Sequence, residues 1–112
     1  MKKNPIQFRQ GDVFLRKVKE VPADAVVTEK KDQFGNKRIV LAYGEVTGHA
    51  HAIHDLDAVD VFVKGDGTMY LSVKTPADLK HEEHGTITLP PGNYERVIQR
   101  EYSPEAIRNV LD

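Results

Sequence analysis

The sequence predicts a mainly β fold, a small β-barrel or sandwich of seven to nine short strands with one short C-terminal helix. Apolar and polar residues alternate with the strand period of two, most clearly in 59–63 and 69–73. Turn-forming Gly, Pro, Asn and Asp separate these runs at close spacing. A chain of 112 residues is too short for two stable cores, so we expect a single β domain over residues 1–112.

The N-terminal part contains the first predicted strands. Residues 1–10 are expected to be flexible, and Gly11–Val18 ("GDVFLRKV") is the first strand. The segments "AVVTEKKD" and "KRIVLAY" are predicted to pair as a hairpin around "QFGN", where glycine and asparagine tolerate positive φ. Four basic residues flank this turn and are interpreted as its solvated tip: Lys30, Lys31, Lys37 and Arg38.

The central hairpin has the most specific register. A three-residue loop, Gly65–Gly67, pairs Val61 with Leu71 and Val63 with Met69, and keeps both apolar rows on one face. Gly67 then takes positive φ. The alternative two-residue turn would pair Lys64 with Met69 and place the two apolar rows on opposite faces of the sheet. The predicted core contains Val13, Leu15, Val61, Val63, Leu71, Val73 and Leu89.

The C-terminal part predicts two strands and a helix. "TITL" and "YERVIQREY" are strands joined by the turn "PPGN". "SPEAIRNVLD" follows, with Ser103 as N-cap and Pro104 at the first helical position. Apolar residues then recur at helical spacing, so we expect a helix over residues 103–111.

Composition excludes or disfavours several classes of protein. The net charge is −1, from 16 basic and 17 acidic side chains, which disfavours a nucleic-acid partner. The absence of cysteine rules out disulfides and thiolate metal ligands. No apolar run approaches the roughly 20 residues of a membrane span. We therefore expect a soluble cytoplasmic protein.

All five histidines occur in or just after two short segments, "GEVTGHAHAI" at 44–53 and "KHEEHG" at 80–85. Strand parity places His49 and His51 on the face of Ile53, and His81 and Glu83 on the face of Leu79. The predicted inward site is His49, His51, His81 and Glu83. His84 and His54 have the other parity and are weaker candidates.

This set of side chains suits a metal ion. A His-x-His pair on one strand offers two neighbouring imidazole nitrogens, and a third histidine and a carboxylate complete a nitrogen–oxygen shell. Such a shell suits a divalent Zn, Fe, Ni or Mn ion. A histidine–carboxylate hydrogen-bond network without metal and an exposed polar loop are the alternatives. "HEEH" lacks the spacing of the zinc-protease helix motif.

"GHAH" on a strand, with a downstream Glu and His in a small all-β chain, resembles the metal site of cupins. The resemblance implies a β-barrel whose metal is held by three histidines and one glutamate. Cupins place their glutamate soon after the His-x-His pair, whereas here the acids at that place are Asp55 and Asp57. "GEVTGHAHAI", "HEEHGTITLPPGNY" and "REYSPEA" also resemble small proteins that recur in bacterial and phage genomes, which implies no function.

Three functions follow from these observations. The favoured one is a small β-barrel binding module with a His/Glu-lined metal site, whose partner is a small molecule or a protein. The second is a cupin-like metalloenzyme in which Glu83 or Glu82 accepts a proton. The third is a metal-free assembly or regulatory protein. No catalytic residue is predicted, and exposed strand edges allow a homodimer.

Overall fold

The computed structural model describes residues 7–44 and 49–98. This part of the chain is mainly β, with ten strands and a single 3-10 turn at Leu56–Ala58, which confirms the predicted fold class. The predicted C-terminal helix over residues 103–111 lies outside the described residues. Within the described ranges no helix is long and apolar enough to cross a membrane.

Six strands form the larger sheet. In spatial order they are β1 (Gln7–Gln10), β2 (Val13–Val18), β10 (Gly92–Ile98), β7 (Met69–Val73), β6 (Val59–Val63) and β3 (Val26–Val27). All neighbours in it are antiparallel. Residues 7–10 belong to the segment predicted to be flexible, and in the structure they form the edge strand β1.

Four strands form the smaller sheet. Their order is β4 (Ile39–Tyr43), β5 (Ala50–Ile53), β8 (Ala77–Lys80) and β9 (Ile87–Leu89), again antiparallel throughout. The described strands therefore form two sheets rather than one closed barrel, and of the two predicted architectures they fit the sandwich.

The hairpin predicted around "QFGN" is wrong. β3 pairs with β6 and β4 pairs with β5, so the two segments belong to different sheets. Within the described residues their backbones share an isolated bridge between Lys31 and Lys37 but no strand ladder. The physical reason is local, because the carboxylate of Asp32 accepts the backbone N–H groups of Phe34 and Asn36 and closes the turn without a strand ladder.

The central hairpin has the predicted register. Val61 lies opposite Leu71 and Val63 opposite Met69. Gly67 has a φ of +92°, in the left-handed region that a three-residue loop requires. Strand period and turn chemistry together therefore predict this register correctly.

The two sheets share one hydrophobic core. The larger sheet contributes Leu15, Leu71 and Tyr94, and the smaller contributes Ile53 and Leu79, each at most 1% exposed. Six of the seven predicted core residues are buried: Val13, Leu15, Val61, Leu71, Val73 and Leu89. The seventh, Val63, is half-buried because it lies at the end of β6.

Candidate functional site

Strand pairing brings the two histidine segments together. β5 and β8 are antiparallel, with Ala52 opposite Lys80 and Ile53 opposite Leu79. The next step in this register places His51 opposite His81. Their ring centroids are 4.3 Å apart. Two segments thirty residues apart in the sequence thus meet at one end of the smaller sheet.

Four imidazoles form a continuous histidine cluster, made of His49, His51, His81 and His84. His81 lies in its centre, with ring centroids 6.1 Å from His49 and 4.7 Å from His84. The rings of His51 and His84 are nearly parallel, with centroids 5.8 Å apart. The cluster extends from the core to the surface, since His51 is 3% exposed, His49 and His81 are half-buried, and His84 is exposed.

The position of His84 corrects the interpretation by parity. Its parity assigned it to the opposite face, but β8 ends at Lys80, and the chain then bends over residues 82–84. Alternation applies only inside a strand, so it cannot locate a side chain beyond that end. His54 is exposed, as expected, and has no ring contact with the cluster within the described residues.

Gln10 holds the deepest histidine and was not predicted as a site residue. It is 2% exposed, and its amide nitrogen donates to the carbonyl oxygens of Leu79 and Gly85, both at 2.9 Å. The amide oxygen therefore faces Nδ1 of His51 at 2.8 Å. Because that oxygen can only accept, His51 carries its proton on Nδ1 and directs the Nε2 lone pair to the other side.

Gly11 and Asp12 form the turn between β1 and β2, and this turn covers the cluster. Gly11 has a φ of +62°, and a Cβ there would lie 2.9 Å from Nε2 of His84 and 3.2 Å from Cε1 of His51. Oδ1 of Asp12 lies 3.8 Å from Nε2 of His51. A Gly-Asp pair indicates a turn in the sequence, but nothing local indicates what the turn contacts.

Two glutamates join the histidine segments. Oε2 of Glu83 lies 3.3 Å from Nδ1 of His49, and the backbone N–H of Glu83 donates to Nδ1 of His81 at 2.9 Å. Glu83 is thus beside the cluster, although its side chain is 60% exposed rather than turned inward. Oε1 of Glu82 accepts the backbone N–H of Ala50 at 3.0 Å, which lowers the pKa of the Glu82 carboxyl.

The side chains are arranged for hydrogen bonding. Nδ1 of His81 accepts a hydrogen bond, so its ring proton is on Nε2, and the Nδ1 atoms of His49 and His51 face side-chain oxygens. In this arrangement, no group of three or more His, Asp or Glu side chains within the described ranges is placed to hold a metal ion.

A family model matches residues 9–99, which include the turn at Gly11 and all five histidines. The chain belongs to the DUF8820 family. DUF8820 is described as a domain of unknown function. No curated protein and no solved structure matches the chain. The matched residues include the histidine cluster together with Gln10, and the family description assigns them no function.

Proposed function

We propose that this protein is a small β module that binds a divalent transition metal at the histidine cluster. The observation that carries the proposal is the spacing of the rings, whose centroids lie 4.3 to 6.1 Å apart. Two imidazoles that share an ion through bonds of ~2.0–2.1 Å have centroids about 5 Å apart. The observed spacings span that value, so the rings are close enough to share one ion once their nitrogens turn towards it.

The partners of His51 and His49 support a metal site. A histidine that binds a metal usually donates its other ring N–H to an oxygen, which fixes the tautomer and the ring orientation. Gln10 accepts that N–H from His51, and Glu83 lies within 3.3 Å of the corresponding nitrogen of His49. Both histidines thereby offer Nε2, and we propose them as the first two ligands.

His84 and His81 are proposed as the further ligands. The exposed position of His84 leaves its ring able to turn towards an ion. His81 requires a change, because a neutral imidazole has one lone pair and its Nδ1 now accepts the N–H of Glu83. To coordinate through Nε2, His81 has to release that backbone group, so metal binding is expected to alter the bend at residues 82–84.

A bound ion would supply Lewis acidity at the edge of the smaller sheet. The donor set contains imidazole and carboxylate but no thiolate, which suits Zn, Fe, Ni or Mn. In the cupin-like variant of this proposal, three histidines and Glu83 hold the ion. That variant requires the Glu83 carboxylate, which now faces Nδ1 of His49, to turn towards the ion. Cytoplasmic location and a small-molecule or protein partner complete the proposal.

A metal-free function is the second candidate, and the hydrogen bonds favour it. Gln10, Glu83 and the backbone at residue 83 each engage one histidine of the cluster without any ion. In that case the cluster is a structural network that ties β1, β5 and β8 together, and the protein acts through its surfaces in assembly or regulation.

Metal analysis separates the two candidates. Protein purified without an affinity tag is dialysed against Zn, Fe, Ni and Mn salts in turn, and bound metal is measured by elemental analysis. We expect about one ion per chain, lost in the double variant His49→Ala/His51→Ala. His54→Ala is the matched control and should retain the ion, because His54 lies outside the cluster. A folded protein that takes up none of the four metals would contradict the proposal.

A further inference from the structure

A second site is formed on the face of the smaller sheet opposite Ile53 and Leu79. It is a cleft of about 200 Å³ lined by Arg38, Ala50, Ala52, His54, Lys80, His81 and Glu82. Ala50 and Ala52 are small, buried side chains of β5 that line it. His81 is the one residue that belongs both to this cleft and to the histidine cluster.

Arg38 is a positioned cation in this cleft. Its Nε donates to Oδ2 of Asp32 at 2.9 Å, and the Asp32 side chain is fully buried. Burial raises the pKa of Asp32, but hydrogen bonds from Asn36, Arg38 and Phe34 outweigh it and lower the pKa to about 2. Asp32 is therefore ionised at neutral pH and holds the guanidinium in place. The interpretation of Arg38 as part of a solvated tip is thus incorrect, since its side chain is 17% exposed.

Several donors that line the cleft have no partner in the part of the chain that the structure describes. The terminal nitrogens of Arg38, the Lys80 ammonium and the His54 ring make no hydrogen bond or ion pair within the described residues. Lys30 and Lys74 differ, because both contact the carboxylate of Asp60. Glu82 is the one acidic residue among those that line the cleft, and its carboxylate accepts the backbone N–H of Ala50.

We propose that this cleft binds a small oxyanion, the carboxylate or phosphate group of a small ligand, between Arg38 and Lys80. A guanidinium presents paired N–H groups that match the two oxygens of such an anion, and an ammonium adds a point charge. His54 supplies a further ring donor. The volume lies below the roughly 300–1,000 Å³ of pockets for drug-sized ligands, so the ligand has few heavy atoms. This site does not require a metal in the histidine cluster.

The test is a titration of the full-length, metal-free protein with inorganic phosphate and, separately, with succinate. Backbone amide shifts are followed by NMR at low ionic strength. We expect saturable shifts at residues 38, 50–54 and 80. Lys80→Gln should weaken binding about tenfold, the usual effect of losing one charge-assisted hydrogen bond. Lys19→Gln removes the same charge at an exposed position outside the cleft and should leave the affinity unchanged.

The anion titrations can support or overturn the oxyanion site. Saturation by phosphate alone, succinate alone or both supports the site and identifies the anion. No saturation by either anion, or equal weakening by Lys80→Gln and Lys19→Gln, would overturn it. Binding that appears only after Zn²⁺ is added would place the anion on the ion and also overturn it. Anion binding that persists in His49→Ala/His51→Ala keeps this cleft separate from the metal proposal.

Discussion

At the scale of single residues, the buried amide of Gln10 links β1 to the histidine cluster. It makes three hydrogen bonds, to residues 41, 69 and 75 positions away in the sequence. Local sequence pattern does not identify such a residue, because the segment "QFRQGD" around Gln10 has the composition of an exposed strand. The histidines could be predicted as a group because their type and grouping are visible in the sequence itself.

Replacement of Gln10 by leucine should destabilise the fold. The change removes the amide donor to the carbonyl oxygens of Leu79 and Gly85, the first of these bonds being buried, and removes the partner of His51 Nδ1. We expect a loss of about 1–3 kcal/mol in the free energy of unfolding, measured by urea denaturation. Gln33→Leu is the control, since Gln33 is exposed. Equal stability of the two variants would show that the Gln10 network contributes nothing.

Gly11 and Gly67 make a matched pair for testing the turn over the cluster. Both have positive φ, but a Cβ at Gly67 meets nothing within 4 Å, whereas one at Gly11 meets the rings of His84 and His51. Alanine at either position should cost about 1 kcal/mol or more through backbone strain. Only Gly11→Ala should also shift the His84 ring resonances in NMR spectra. Unshifted resonances in Gly11→Ala would contradict this contact.

At the scale of elements, the sequence predicts what a strand does locally but not which strand it joins. The register of β6 and β7 follows from alternation and from one glycine, both of which lie within fifteen residues. The separation of β3 and β4 into different sheets also depends on their partner strands, β6 and β5, which cannot be predicted from the turn between them. Parity also fails for His84, because the strand that would carry it ends four residues earlier.

The stability contributed by the turn that holds Arg38 should decrease at acid pH. The pKa of Asp32 in the folded protein is about 2, below the ordinary value of 3.8. Its stabilising contribution is therefore complete above pH ~4 and is lost as the pH falls towards 2. We expect the melting temperature of Asp32→Asn to fall less than that of the unaltered protein when the pH is lowered through this range. Asp24→Asn, at an exposed position, should follow the unaltered protein.

The bend after β8 should respond to metal. His81 can coordinate through Nε2 only when the backbone N–H of Glu83 leaves Nδ1. On Zn²⁺ addition we expect the amide resonance of Glu83 to shift more than that of Asp66, which lies in a distant turn. A Glu83 amide that stays unchanged while one ion binds would exclude His81 as an Nε2 ligand.

At the scale of the whole molecule, two antiparallel sheets enclose one core, and both candidate sites lie at the smaller sheet. The β class could be predicted because period two persists along most of the chain. The meeting of β1, β5 and β8 at the histidine cluster could not, because it depends on sheet order. Metal binding at this meeting point is the central proposal.

The most direct measurement of that claim is NMR of the imidazole nitrogens during a Zn²⁺ titration of the full-length protein. We expect the Nε2 resonances of His49 and His51 to change and to saturate at about one equivalent, because these nitrogens coordinate the ion. The ring of His54 should remain unchanged. Rings of the cluster that do not respond, or a response confined to His54, would contradict the account.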